Sequence, residues 1–351
     1  MIKYIKIIFI NLCVAIFSIL FIEFIVIIKN KNQIKCSYVL CNYKIVYENK
    51  LYKPFNKISY EKDEYGLRGR KKDVSKIDIL VFGGSTTDER YLNLEDTWAE
   101  KLELFLNKDL GTEIDIVNAG IDGQSSFGHI WNFENWINKI ESINPKFIFF
   151  YIGINESENS GYWDLNSKDL DLKKKIKLFI KNNNGFIYQL YQGYQKLKIV
   201  LKIDINPGHG TRTKDNSNYK LEKHNGEYEN KKFSEILKNN IKSLHQHTTE
   251  LGAIPIFITQ RTLMWFKNDK GELFNLEDGN SYQVEYFKKN VILEYCKNNN
   301  LFCIDVFEKF DMQSEDTYDL VHLTPSGANK IATIISKEIL NNKYIIDFLV
   351  N

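Results

Sequence analysis

Ile77-Asp-Ile-Leu-Val-Phe-Gly-Gly-Ser-Thr-Thr87 is an apolar, β-branched run that stops at two glycines and a serine. A buried parallel strand reads this way where it delivers a side chain to the end of a sheet. The glycines let the backbone turn sharply at that point. Alone, the pattern fits any strand followed by a polar turn. Its weight comes from partners that follow in a consistent order.

The first partner is Asp319-Leu-Val-His322-Leu-Thr-Pro-Ser-Gly. An Asp three residues before a His can hydrogen-bond the imidazole, fix its tautomer and steady the charge it gains with a proton. Thr324 and Pro325 read as a helix N-cap and first-turn proline. Ile331, Ile334, Ile335 and Ile339 continue as a helical apolar stripe. Asp319 and His322 are therefore expected on a loop just ahead of a helix. The second partner is Val117-Asn-Ala-Gly-Ile-Asp-Gly123-Gln-Ser-Ser, after a short strand. Glycine there lets a backbone N–H approach a ligand. The third is Phe147-Ile-Phe-Phe-Tyr-Ile-Gly153-Ile-Asn155-Glu, a buried strand ending in Gly-x-Asn. An Asn amide so placed can donate to a developing oxyanion, worth roughly 3–4 kcal/mol in a transition state.

The four segments together supply a nucleophile, a base, an orienting carboxylate and oxyanion donors. Their set and order resemble the SGNH hydrolases, also called GDSL esterases or lipases, over roughly Ile77 to Leu340. The resemblance implies Ser85 as nucleophile and His322 as base, with Asp319 as orienter. It implies Ser85, Gly123 and Asn155 as the oxyanion hole. Gly84 stands where the family has the Asp of Gly-Asp-Ser, and Glu156 where it has the Asp of Gly-x-Asn-Asp. Neither position carries a family catalytic role. Gly-Gly-Ser-Thr-Thr, preceded by Tyr65-Gly-Leu-Arg-Gly69, looks like the membrane-anchored bacterial branch.

Strands are expected at Ile77–Phe82, Ile114–Val117, Phe147–Ile152, Ile254–Thr259 and Phe302–Val306. Helices are expected at Leu94–Leu110, Ser126–Ile143, Phe233–Leu251, Tyr282–Asn299 and Pro325–Asn341. Alternating β and α elements imply an α/β fold with a parallel sheet and helices on both faces. Combined with the resemblance, this is a three-layer α/β/α sandwich with a five-stranded parallel sheet, the flavodoxin-like SGNH fold. Ser85, Gly123 and Asn155 all fall at carboxyl ends of strands, where such sheets bind ligands. So does Arg261, in Gln260-Arg261-Thr262, which could bind a carboxylate or sugar hydroxyls or be a loop cation.

Residues 157–230 break the rhythm and read as an insertion, a lid or substrate-binding cap. They carry Trp163, Tyr188, Tyr191, Tyr194 and His209. Aromatics of this kind stack on sugars but more often form local core.

Ile7 to Ile28 is apolar almost throughout, broken by Asn11, Ser18 and Glu23. As a helix it reaches about 33 Å, enough for a bilayer core of about 30 Å. No small-x-small cleavage site follows, so an uncleaved signal anchor is expected over residues 1–30. A polar stem follows over 31–76, then the hydrolase domain over 77–345. Lys3 and Lys6 precede the span and Lys29, Lys31 and Lys35 follow it, which leaves orientation to the resemblance: single-pass, catalytic domain outside the cytoplasm.

The net charge of +2 and the absence of a basic block with interleaved aromatics argue against nucleic acid as partner. No glycine loop or Cys/His spacing calls for a nucleotide cofactor or zinc, so none is expected. Among the five cysteines, Cys36 with Cys41 and Cys296 with Cys303 could pair in an oxidising compartment; unpaired structural thiols are the expectation adopted. The function expected is removal of O-acyl, chiefly acetyl, groups from a cell-surface glycan or acylated small molecule. An O-acetyltransferase using the same triad, and a non-catalytic glycan-binding or assembly protein, remain alternatives.

Overall fold

A computed structural model describes residues 2–29, 34, 39–54, 56–69, 73–158, 172–173, 175–176, 185–200, 218–222, 228–276 and 282–350. The chain divides into two compact units. One comprises residues 1–40 and 161–207, the other residues 41–160 and 208–351.

In the first unit, helix α1 (Ile2–Lys29) holds the apolar span, long and apolar enough to cross a membrane between Lys6 and Lys29. Its side chains are exposed almost throughout, apart from Glu23.

The second unit begins with an antiparallel hairpin, β1 (Tyr43–Glu48) and β2 (Lys57–Lys62). Then β3 (Ile79–Gly83) leads into a single turn, α2 (Ser85–Asp88), and α3 (Trp98–Leu110). Next come β4 (Ile116–Asn118), α4 (Ser126–Asn135) and β5 (Phe147–Ile152). The inserted helix α5 (Phe186–Val200) belongs to the first unit. The second unit resumes with β6 (Tyr219–Leu221), α6 (Lys231–Glu250), β7 (Ile254–Thr259), β8 (Trp265–Lys267), β9 (Leu273–Leu276) and α7 (Tyr282–Asn298). It closes with β10 (Cys303–Ile304), α8 (Val306–Lys309), α9 (Pro325–Leu340) and α10 (Lys343–Val350).

The central sheet has five parallel strands in the order β10-β7-β5-β3-β4. Strands buried on both faces need apolar residues at every position, and β3 and β5 are buried along their whole length. One face sends Ile79, Val81, Phe149, Tyr151, Ile256 and Ile258 into a core shared with Trp98, Leu102 and Leu106 of α3 and Ile331, Ile335 and Ile339 of α9. On the other face Phe82 stacks on Phe150 and on Phe133 of α4, and Phe150 stacks on Phe257. Leu237, Ile241 and Leu244 of α6 are fully buried, spaced along one helical stripe. The result is the three-layer α/β/α sandwich, and β6, β9 and β8 form a small antiparallel sheet beside it.

Three features differ from the sequence reading. The expected stem is integral to the folded unit from Cys41 onward. Ile58, Tyr60 and Lys62 alternate inward from β2 and are buried. Arg68 bridges to Asn118 of β4. The cysteines are paired where unpaired thiols were expected: Cys296 and Cys303 form a disulfide and Cys41 is disulfide-bonded, leaving Cys13 free among the described residues. Cys296 lies in the last turn of α7 and the chain turns back into β10 at Cys303, with the two Cα atoms 6.3 Å apart. Third, the insertion is divided between the two units, α5 grouped with α1 and β6 with the second unit; Trp163 and His209 lie outside the described residues.

Candidate active site

The serine is presented by the backbone. β3 ends at Gly83, Gly84 caps α2, and Ser85 opens that turn. Both glycines are needed for close approach. A Cβ at 83 would run into the Thr87 side chain, and one at 84 into the Asn155 amide nitrogen. A side chain at position 84, where the family has the Asp of Gly-Asp-Ser, would therefore have to displace the Asn155 amide.

His322 reaches the serine from the loop ahead of α9. Its Nε2 lies 2.8 Å from Ser85 Oγ, and its Nδ1 lies 2.7 Å from Asp319 Oδ2. Asp319 Oδ1 accepts the backbone N–H groups of Val321 and His322, each at 2.7 Å. Burial alone would raise the Asp319 carboxyl. The hydrogen bond and charge of His322, with the two backbone donors, outweigh it and hold the group below the usual carboxylate range. The loop is pinned by a bond from Tyr318 N–H to the His322 carbonyl, 2.9 Å, and by a bridge between Thr317 and Leu323. Thr324 then caps α9 with Pro325 in the first turn. The Tyr318 ring lies against the His322 imidazole, 5.5 Å between centroids at 10°, and Tyr52 of the hairpin connection stacks behind Tyr318 at 6.0 Å.

The third side of the site holds Gly123 and Asn155, the expected oxyanion donors. Gly123 adopts φ +72°, a conformation that favours glycine. Asn155 donates one amide hydrogen to the Gln124 carbonyl at 3.0 Å. Among the described residues, the second amide hydrogen is left for another acceptor. Two buried side chains hold this loop. Gln260 accepts from Ile154 N–H at 2.8 Å and donates to Thr86 Oγ1 at 2.9 Å and to the Tyr151 carbonyl at 3.1 Å. It thereby ties the asparagine loop to the turn that carries the serine. Glu156 accepts both the backbone N–H and the hydroxyl of Ser126, the residue that opens α4. Burial raises the Glu156 carboxyl, against the lowering effect of those two bonds. Asn240 adds a bond to Ser126 Oγ at 2.9 Å.

The structure thus brings Ser85, His322 and Asp319 into one hydrogen-bonded chain, and places the Gly123 and Asn155 loops together through Gln124. Arg261 is engaged elsewhere: its guanidinium donates to the Phe310 carbonyl at 2.8 Å and lies over the Trp265 ring at 4.2 Å. The sequence reading gave no role to Gln260, Glu156 or Tyr318. Adjacency was the available signal, because each sits within three residues of a motif position.

A one-turn serine elbow, a His–Asp pair and an amide donor on a three-layer parallel sheet define a serine acyl hydrolase of the SGNH type. The chain belongs to the GDSL-like lipase/acylhydrolase family, whose model matches residues 79–335. It is a serine ester hydrolase. Similar solved structures include the acetyl xylan esterase AlAXEase, 14% identical over 74% of this chain and 99% of that one, TM-score 0.43. A catalytic mutant of Axe2, an acetylxylan esterase from Geobacillus stearothermophilus, is 14% identical over 74% of this chain and 92% of its own, TM-score 0.43. LAE5, an alpha/beta hydrolase from the metagenome of Lake Arreo, is 12% identical over 74% and 93%, TM-score 0.42. No curated protein matches the chain.

Proposed function

We propose that this protein is a membrane-anchored esterase that removes O-acetyl groups from a cell-surface glycan. The observation that carries the reading is the chain Asp319–His322–Ser85, with contacts of 2.7 and 2.8 Å. Those distances let His322 Nε2 take the hydroxyl proton as Ser85 Oγ bonds to the ester carbonyl carbon. Asp319 keeps Nδ1 protonated, so Nε2 is the free base, and stabilises the imidazolium that forms. The oxyanion is received by the backbone N–H groups of Ser85 and Gly123 and by the free Asn155 amide hydrogen. His322 then returns its proton to the departing sugar oxygen as the tetrahedral intermediate collapses to acetyl-serine. Water repeats the sequence, with His322 as base again, and releases acetate. No metal or cofactor enters these steps.

Placement outside the cytoplasm is supported by the Cys296–Cys303 disulfide, which belongs to oxidising compartments. Single-pass anchoring is supported by the exposed apolar surface of α1. The test is release of acetate from O-acetylated polysaccharides by the purified full-length protein in detergent. The expected result is turnover that Ser85→Ala abolishes. Turnover of p-nitrophenyl acetate with no release from any acetylated glycan removes the glycan assignment and leaves the esterase.

A further inference from the structure

Glu23 is the one acidic residue in the apolar span and the exception to its exposure. Neighbours such as Leu20, Phe24 and Ile25 are 57%, 62% and 49% exposed, whereas Glu23 is 7% exposed. Helix α5 covers it. Glu23 Oε2 accepts the backbone N–H of Ile187 at 2.9 Å, in the first turn of α5. The residue just before that helix is Gly185, and a Cβ there would occupy the space of the Glu23 carboxylate. A carboxylate seated on a helix N-terminus satisfies donors that have no partner within the helix and meets the positive end of its dipole. An ionisable group inside a membrane span is expensive unless it is partnered in this way.

The outer surface of α5 completes the argument. Ile187, Leu190, Tyr191 and Tyr194 are 37%, 59%, 53% and 56% exposed. Their spacing of three, four and seven residues from Ile187 forms one helical stripe, while Tyr188 turns inward and is buried. An apolar stripe rich in tyrosine, fixed to a lipid-exposed span, has the composition of a helix lying in the membrane interface. Depth agrees. Glu23 lies six positions before Lys29, about 9 Å along the helix axis, so the docking point falls near the end of the span.

We propose that α5 is a membrane-interface helix, docked on the span through Glu23, and that its partner is the lipid bilayer surface. This rests on the anchor reading above. The insertion then gives the chain a second contact with the membrane, a role distinct from that of a cap over the serine.

The test uses the full-length chain in phosphatidylcholine vesicles with brominated acyl chains. Cys13→Ser removes the free thiol of the span, and the disulfides are kept oxidised. A bimane label is attached in turn at Leu190→Cys, at Ile25→Cys in α1, and at Glu250→Cys on α6. The expected result is quenching at 190 as strong as at 25, and none at 250. Adding Glu23→Ala should reduce quenching at 190 several-fold and leave 25 unchanged. An unquenched label at 190 with a quenched label at 25 overturns the proposal and leaves the anchor standing. Unquenched labels at both positions overturn the anchor as well. Quenching at 190 that survives Glu23→Ala overturns the docking through Glu23.

Discussion

Two acid–base pairs meet at the serine turn, built from similar groups at similar distances. Asp319 and His322 meet at 2.7 Å with side chains 8% and 16% exposed. On the other side Asp88 and Lys62 meet at 3.3 Å with side chains 1% and 2% exposed. Asp88 also accepts from Tyr60 at 2.7 Å and pairs with Arg90 at 3.3 Å, and Lys62 donates to the Gly120 carbonyl at 2.7 Å. Arg68 adds bonds to the carbonyls of Glu89 and Leu92. Burial alone would raise the Asp88 carboxyl, but Lys62, Arg90, Tyr60 and Arg68 hold it below the ordinary range. The difference lies in where each base directs its remaining hydrogen-bonding atoms. His322 keeps a nitrogen that reaches Ser85 Oγ. The donors around Asp88 are directed into carbonyls and the carboxylate itself, so that cluster welds the hairpin to the serine turn. On the mechanism proposed above, similar chemistry serves reaction on one side and architecture on the other.

The comparison breaks first at the serine. Ser85→Ala should lower kcat about 10,000-fold or more on an activated ester such as p-nitrophenyl acetate. Thermal unfolding should stay close to wild type, because only a turn hydroxyl is lost. A variant with wild-type turnover would return the Asp319–His322 pair to architecture. Asp88→Ala should do the opposite. It leaves Lys62 buried without its partner, which typically destabilises by about 3–5 kcal/mol. A denaturant midpoint unchanged from wild type would show that the cluster carries no weight in the fold.

Acidity sharpens the contrast. Asp319 and Asp88 both sit below their ordinary range in the folded state. A depressed carboxyl contributes stability that is fully present above its unfolded value, about 3.9, and is lost as pH falls through the lower folded value. Folding stability should therefore decline below about pH 4. Asp88→Asn should flatten that decline in denaturant melts between pH 3 and pH 6. An unaltered slope would remove Asp88 from the acid response.

Asn155→Ala should lower kcat on the order of a hundredfold with little change in KM, because on the proposed mechanism its amide donates to charge that develops only in the transition state. Steady-state kinetics on one activated ester separate the two constants. A raised KM with unchanged kcat would reassign Asn155 to ground-state binding.

Much of this geometry was legible from pattern alone. β5 and β7 occupy the expected ranges, and α7 and α9 end one residue short of theirs. These elements are long, apolar at every sheet position or clearly periodic, so local pattern and tertiary demand agree. The hairpin was legible in principle: Lys57-Ile-Ser-Tyr-Glu-Lys62 alternates inward at Ile58 and Tyr60. It was missed because the connection from Asn49 to Asn56 lacks a short turn signature and because Lys62, a buried position, reads as surface. Buried charge is invisible to a hydrophobicity pattern; its partners Asp88, Arg90 and Arg68 come from separate segments. Gln260 was hidden for the same reason, since its value lies in bonds to Thr86 and Ile154, both distant in sequence. The helix expected to run to Ile143 ends at Asn135, with a short 3-10 turn beyond it. Trp136 departs from helical geometry there and its indole donates to the Tyr65 carbonyl at 2.6 Å.

The smallest expected effect lies behind the base. Tyr318 touches no reacting atom in this arrangement, yet its ring lies nearly parallel to the His322 imidazole, and Tyr91 meets it edge-on at 5.8 Å. Such a stack restricts rotation of the imidazole about its own axis, which keeps Nε2 aimed at Ser85 Oγ. Aromatic contacts of this kind are worth about 0.5–1.5 kcal/mol beyond area burial. At about 1.4 kcal/mol per factor of ten, Tyr318→Leu should lower kcat by roughly two- to tenfold and leave KM unaltered. Tyr318→Phe keeps the ring and should restore wild-type kcat, which separates stacking from any task of the hydroxyl. A loss of stability in both variants with kcat intact would place Tyr318 with Tyr60 and Asp88 among the residues that hold the fold. A loss of kcat in Tyr318→Leu alone would place it with His322, and would mark the aromatic wall as the boundary between the two sides of the serine turn.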